Sequence, residues 1–427
     1  MTDPSTLRDL AIAILRDNDR GGYTVPTSGL YPYQWNWDSG FAALGFSTFD
    51  EPRAWQELET LMTGQWDDGM VPHIVFHQFD DSYFPGPAVW GVDRDPPTTG
   101  ITQPPILATM VLAMLDRARD TDQATLKSVS LYPRLLAWHR WWWSARDPEN
   151  TGLVRIYHPW ESGRDNSPDW DEALARVEAT EMAYQRRDLN VADAEHRPHK
   201  FEYDRYLNLV GLFRSLSYEP AALAEKSPFQ IVDAGINAIL HRADKDLLTL
   251  AERLDIAEGQ DDLRARIRLG DGAFEQLWSE KHGIYCGYDL VADALVQTQA
   301  VGGLLPLFAD LSDQSRSQKL IDAIGTWSGQ ARWGVPSVPP LDASFEAKRY
   351  WRGPVWGIVN WMLVQGLMRR GETALADRLW EDFRGLVEQT GFFEYYSPLD
   401  GSGCGGAHFT WTAAVYLYWS AAGGRAS

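Results

Sequence analysis

Apolar residues recur at helical spacing along most of the chain. Residues 5–16 set Leu7, Leu10, Ile14 and Leu15 on one face behind Ser5 as a cap, which predicts a helix. The same reading predicts helices from Phe41, over 51–64, from Pro104-Pro105 through Leu115, over 124–145 and over 203–217. It continues with 228–255, broken near His241, then 261–280, 300–308 and 314–328. A best-defined entry at Tyr350 leads into Val355, Ile358, Val359, Met362, Leu363 and Leu367 on one face, and helices over 372–388 and 408–422 close the chain. Only residues 283–290 read as strand or turn. About a dozen helices result, with no βαβ alternation, no glycine-rich phosphate loop and no linker, so a single all-α domain over residues 1–427 is expected. Connections alternate between short and long. A double ring of helices would need that pattern if its site lay at one end, under long loops at about 77–100, 158–170 and 391–407.

Composition narrows the function. The net charge of −20 disfavours nucleic acid and anionic membrane surfaces as partners, because both are bound through lysine and arginine. No apolar run approaches the length of a membrane span, residues 1–6 lack the pattern of a secretion signal, and there are only 2 cysteines, Cys286 and Cys404, so a cytoplasmic location is expected. Oligomeric state is not legible, and a homo-oligomer is compatible with the composition. Aromatic residues are abundant (Trp 20, Tyr 17, Phe 16), and many stand beside Gly, Pro, Asp and Asn in loops rather than in apolar stripes. That placement suits a pocket which stacks on the apolar face of a sugar and hydrogen-bonds its edge.

Two loops carry the chemistry. The stretch from His158 to Trp170 holds Glu161, Asp165 and Asp169 between Trp160 and Trp170, punctuated by Pro159, Gly163 and Pro168, and any of the three acids could act. Residues 391–406 hold Glu394 among aromatics. Two such carboxylates suit glycoside hydrolysis, one protonating the leaving oxygen and the other activating water or attacking carbon. Asp38, next to Trp35 and Trp37, is either a helix cap or a sugar ligand. The strongly charged 171–200 stretch reads as a helix plus a solvated excursion.

The motifs Glu161-Ser-Gly-Arg-Asp165-Asn-Ser-Pro, Tyr350-Trp-Arg-Gly-Pro-Val-Trp356 and Phe393-Glu394-Tyr-Tyr-Ser-Pro-Leu-Asp-Gly together resemble glycoside hydrolase family 63, in the clan it shares with trehalases. The resemblance runs from about Tyr31 to Trp411 and looks closest to the bacterial mannosylglycerate and glucosylglycerate hydrolases. It implies an (α/α)6 barrel, no cofactor, and inverting hydrolysis of a small α-glycoside to sugar and glycerate, with Asp165 as general acid and Glu394 as general base. It also implies a sugar subsite of Tyr31, Trp35, Trp37, Asp38, Tyr83, Gln103, Tyr350, Trp351 and Trp356, with Tyr203 or Tyr206 near the glycerate. Arg205 and Arg352 are candidates for the glycerate carboxylate on charge alone.

Alternatives remain at this level. A trehalase- or kojibiose-type glucosidase would use the same acids. A sugar isomerase or epimerase on a similar barrel would use His73, His77, His158 or His408, and a non-catalytic sugar-binding protein would need no carboxylate pair. No metal site is expected, because no His-x-x-x-His or Cys-x-x-Cys spacing occurs and Asp67-Asp68 and Asp80-Asp81 read as solvated turns.

Overall fold

The structure is a computed structural model that describes residues 4–186, 188–190 and 193–421. Six helices form an inner ring: Asn36–Phe46, Leu107–Arg117, Ala234–Arg253, Pro306–Ala309, Gly357–Arg369 and Thr410–Ala421. Each packs against the next, and the last returns to the first. Six more lie outside, packed on the inner ring: Pro4–Asp17, Glu51–Met62, Thr121–Arg146, Gln260–Ala273, Gln314–Gln330 and Thr373–Thr390. This is an (α/α)6 barrel. The two rings follow from side-chain pattern. Every residue of Asn36–Phe46 is buried, as an inner helix requires, whereas Thr373–Thr390 buries one stripe of Ala376, Leu379, Trp380, Phe383, Leu386 and Val387.

Turns from an inner to an outer helix are short, and three of them end on an aspartate that caps the helix it opens. Asp50 accepts from Arg53 N (3.3 Å), Asp120 from Gln123 N (3.0 Å) and Asp313 from Arg316 N (3.0 Å). Returns from outer to inner helices are long, so all of the long segments meet at the N-terminal ends of the inner helices. The alternation legible in the sequence has this geometric meaning. Among the described residues no helix is long and apolar enough to cross a membrane.

Several boundaries differ from expectation. The first helix begins at Pro4, so Ser5 lies inside it, and the fourth begins at Leu107 beyond the proline pair. Ala234–Arg253 runs unbroken through His241, which is buried against Phe274. The segment read as 261–280 stops at Ala273 and finishes as a tight turn and a short strand, Trp278–Ser279, paired with Ile284–Tyr285. The closing helix ends at Ala421, and Ala422 lies outside the described residues. Glu394 sits on a strand rather than in a loop: Phe393–Tyr396 pairs antiparallel with Gly403–Ala407, with a register shift at Glu394. Such a bulge re-aims a side chain.

Candidate active site

A pocket with about 730 Å³ of empty space, mouth included, opens at the N-terminal ends of the inner helices. It draws on five of the long segments. Tyr31 and Trp35 come from the first, with Trp37 and Asp38 in the opening turn of the inner helix it leads into, Tyr83 and Gln103 from the second, Asp165 and Tyr203 from the third, Tyr350 from the fifth and Glu394 from the sixth. Ten of the expected residues therefore share one cavity.

Glu394 is buried and held by several donors. Oε1 accepts from the Tyr31 hydroxyl (3.0 Å) and the Tyr350 hydroxyl (3.2 Å), Oε2 accepts from Gly406 N (3.1 Å), and Arg197 Nη1 lies 3.6 Å from Oε2. Burial pushes the carboxyl up from its ordinary value, and these donors oppose the push by favouring the ionised form. The glycines beside it are sterically required. Gly405 has φ +70°, and a Cβ there would fall 2.2 Å from Glu394 Oε2.

Asp165 is built differently. Its loop is pinned by the Arg164 guanidinium, which is buried between Asp169 (2.9 Å) and Asp233 (2.6 Å), and by the Trp170 indole donating to Arg164 O (2.7 Å). The Tyr206 hydroxyl donates to Asp165 O (2.7 Å). Gly163, at φ +68°, lets the loop approach Trp37, where a Cβ would lie 2.7 Å from the ring. Burial raises the Asp165 carboxyl to about 7, with Arg197 opposing and the Glu394 charge assisting. The two carboxyls thus differ in kind, one supplied with donors for its charge and one lifted by burial to about 7. Asp38 is also pushed well up by burial and by Glu394. It stands in the first turn of Asn36–Phe46, whose cap position is Trp35, so the cap reading does not apply.

Other candidates lie elsewhere. Trp351 and Trp356 stack on each other behind the wall (3.8 Å, 2°) and are buried. Tyr206 supports the Asp165 loop from outside the cavity lining. Arg205 donates to Leu174 O and Phe201 O, and Arg352 pairs with Asp171, so neither lines the pocket. Glu161 is consumed by Arg146 (2.7 Å) and Tyr157 N (2.8 Å), and Asp169 by Arg164 and Thr298, so both are structural. His158 uses both ring nitrogens, with Trp160 N and Tyr206 O, and burial brings it down to about 3. His73 lines the pocket against Trp160, but burial lowers it to about 3 as well. Among the described residues no three His, Cys, Asp or Glu side chains cluster as a metal-binding group.

The charged excursion read as solvated supplies part of the wall: Arg186, Asp188, Arg197 and Pro198. Arg186 holds Asp188 through two nitrogens (3.1 and 2.6 Å) and donates its third to Pro198 O. Arg197 gives Nε to Asp188 (3.3 Å) and lies over the Tyr350 ring (4.3 Å). Its buried Nη1, 3.6 Å from Glu394 Oε2, makes no hydrogen bond among the described residues. Two arginines in a segment of mixed charge carry no periodicity, so nothing in the local pattern marked them.

Residues 31–412 match the mannosylglycerate hydrolase MGH1-like glycoside hydrolase domain. A mannosylglycerate hydrolase (MGH1) of Selaginella moellendorffii is 49% identical over 95% of this chain and 84% of its own length. A glucosylglycerate hydrolase of Mycolicibacterium hassiacum is 34% identical over 97% and 98%. The crystal structure of a GH63 mannosylglycerate hydrolase from Thermus thermophilus, in complex with Tris and D-glycerate, superposes with a TM-score of 0.94 at 49% identity, covering 97% of this chain and 100% of that one.

Proposed function

The chain belongs to the mannosylglycerate hydrolase MGH1-like glycoside hydrolases, and we propose that it inverts the anomeric centre of a small α-glycoside with an anionic aglycone, glucosylglycerate or mannosylglycerate, releasing sugar and glycerate. The observation that carries this is the contrast between two carboxyls in one pocket, Glu394 wrapped in donors and Asp165 raised to about 7. In this reading Asp165 protonates the glycosidic oxygen as the bond to the anomeric carbon breaks. Glu394 takes a proton from water attacking the opposite face. Trp35, Trp37, Tyr83, Gln103 and Asp38 form the sugar subsite. Its aromatic rings stack on the apolar face, and its polar groups meet the hydroxyls.

Arg197 is the proposed ligand of the aglycone carboxylate. Arg186 has spent its donors on Asp188 and Pro198, whereas Arg197 Nη1, though 3.6 Å from Glu394 Oε2, makes no hydrogen bond among the described residues and can turn to a carboxylate between them. A neutral aglycone, as in trehalose or kojibiose, would bring no charge to meet that donor. The two buried, unpaired cysteines suit the cytoplasm.

The test is a hydrolysis screen of glucosylglycerate, mannosylglycerate, trehalose and kojibiose, with NMR of the first-formed anomer. Release of the β-anomer from a glycerate glycoside is expected. Retention, or preference for a neutral disaccharide, would overturn the proposal.

A further inference from the structure

The segment 346–356 touches both the Asp165 loop and the Glu394 strand, yet its charged residues lie outside the pocket lining. Backbone bonds close it on itself: Arg349 N donates to Glu346 O (3.1 Å), Arg352 N to Arg349 O (2.8 Å) and Glu346 N to Arg352 O (2.7 Å). At its crest Tyr350 holds φ +39°, a left-handed conformation that a tyrosine adopts only when its surroundings impose it. That kink aims the hydroxyl at Glu394 Oε1 (3.2 Å). The next residue reaches the other loop, with Trp351 N donating to Asn166 Oδ1 (2.9 Å), and Asn166 follows Asp165 directly. Further along, Val355 pairs with Tyr396 on the strand of Glu394 (2.8 and 3.0 Å). Ion pairs clamp both flanks. Arg349 meets Glu202 (2.5 Å), beside Tyr203 of the pocket wall, and also Glu346 (2.8 Å), while Arg352 meets Asp171.

We propose that this segment is a strained strap that fixes the spacing between the two catalytic carboxyls, and that Arg349 and Glu202 are positioning residues acting through Tyr350. The proposal rests on the assignment of Asp165 and Glu394 above. The strap joins the acid loop at Asn166, the base through Tyr350, and Glu202, the neighbour of Tyr203 in the pocket wall. Releasing the Arg349–Glu202 pair lets the Tyr350 kink relax and withdraws one of the donors that favour ionised Glu394. The other groups facing Glu394, namely Tyr31, Arg197, Asp38, Asp165 and Gly406 N, stay in place. The base then titrates at higher pH, and the acidic limb of the rate profile moves up.

The test compares kcat, KM and the pH profile of Arg349→Ala, Arg349→Lys and Glu202→Gln with those of Asp165→Asn and Glu394→Gln. Arg349→Ala is expected to lose roughly 10- to 100-fold in kcat with little change in KM, the scale of a small misplacement of reacting groups. Its acidic limb should shift upward, and Arg349→Lys should recover part of both effects. A wild-type kcat and limb in Arg349→Ala overturns the strap, as does a loss shared by kcat and KM with no shift of the limb. If Arg349→Ala does not fold, the limb of Glu202→Gln decides in the same way. Activity in Asp165→Asn or Glu394→Gln would instead overturn the assignment of acid and base. Inactivity of those two beside wild-type Arg349 and Glu202 variants would sink the strap alone.

Discussion

Replacing Asp165 by Asn should stabilise the protein in a pH-dependent way while abolishing turnover. The carboxyl stands at about 7 in the folded protein against 3.8 for the free side chain. Its folded value is raised, so the stability associated with its neutral form is fully present below the unfolded value and is lost as pH climbs through the folded one. The window is therefore from 3.8 to about 7. A difference of about 3 pKa units corresponds to roughly 4 kcal/mol as an upper bound, and water at the pocket mouth reduces it to about 2–4 kcal/mol. Asn carries no charge in either state and escapes that penalty. At about 2 cal/mol/K per residue the unfolding entropy of the chain is roughly 0.9 kcal/mol/K, so the gain in Tm should reach about 2–4 °C at about pH 8 and vanish near pH 4. Calorimetry of both proteins across that range, beside a glycosidase assay, measures the two effects together. A difference in Tm independent of pH, or destabilisation at about pH 8, would show that Asp165 is not held as a strained neutral acid.

Three further outcomes follow from the same geometry. The kcat/KM profile should be bell-shaped, rising as Glu394 ionises above its ordinary carboxylate range and falling as Asp165 loses its proton near 7; a flat alkaline limb through that value would exclude Asp165 as the acid. Gly405→Ala should drive its Cβ into Glu394 Oε2, 2.2 Å away, and cut kcat on the order of 100-fold in steady-state assays, so an active variant would show that Glu394 needs no fixed position. Arg197→Met should lower kcat/KM for a glycerate glycoside by about 10- to 100-fold relative to the matching glycerol glycoside, the scale of a lost charged hydrogen bond; an unchanged ratio would remove Arg197 from aglycone recognition.

Legibility in the sequence followed the range of the forces involved. Helices were readable because one period of burial repeats many times along each, as in Ile358, Val359, Met362, Leu363 and Leu367. The alternation of short connections with long aromatic returns even exposed the double ring. Aromatics and turn formers marked the stretches around Asp165 and Glu394 as pocket edges, and the family resemblance then singled out Asp165. Glu161 and Asp169 carry the same local marks, and what separates them from Asp165 is contact with Arg146, Arg164 and Thr298 from elsewhere in the chain. The same blindness misplaced Arg352 and Arg205, which look like anion ligands by charge but spend their donors on Asp171 and on backbone carbonyls.

The excursion bearing Arg186, Asp188 and Arg197 shows the limit most clearly. Its composition is that of a solvated face, and in isolation it would be one. Arg197 becomes a pocket residue only because Asp188 is already committed to Arg186 and can orient both guanidiniums, and because the rings of Tyr350 and Tyr31 lie beneath its charge. A net charge of −20 makes such a cation informative. The field of the whole molecule repels an anionic aglycone, so recognition must come from a short-range contact that desolvates both partners. The geometry therefore predicts that salt, by screening the general repulsion while leaving the buried contact nearly intact, raises the association rate of a glycerate glycoside. Stopped-flow binding to inactive Asp165→Asn at rising ionic strength measures this, and a rate that falls with salt would mean that a positive surface, and not Arg197 inside the pocket, captures the substrate.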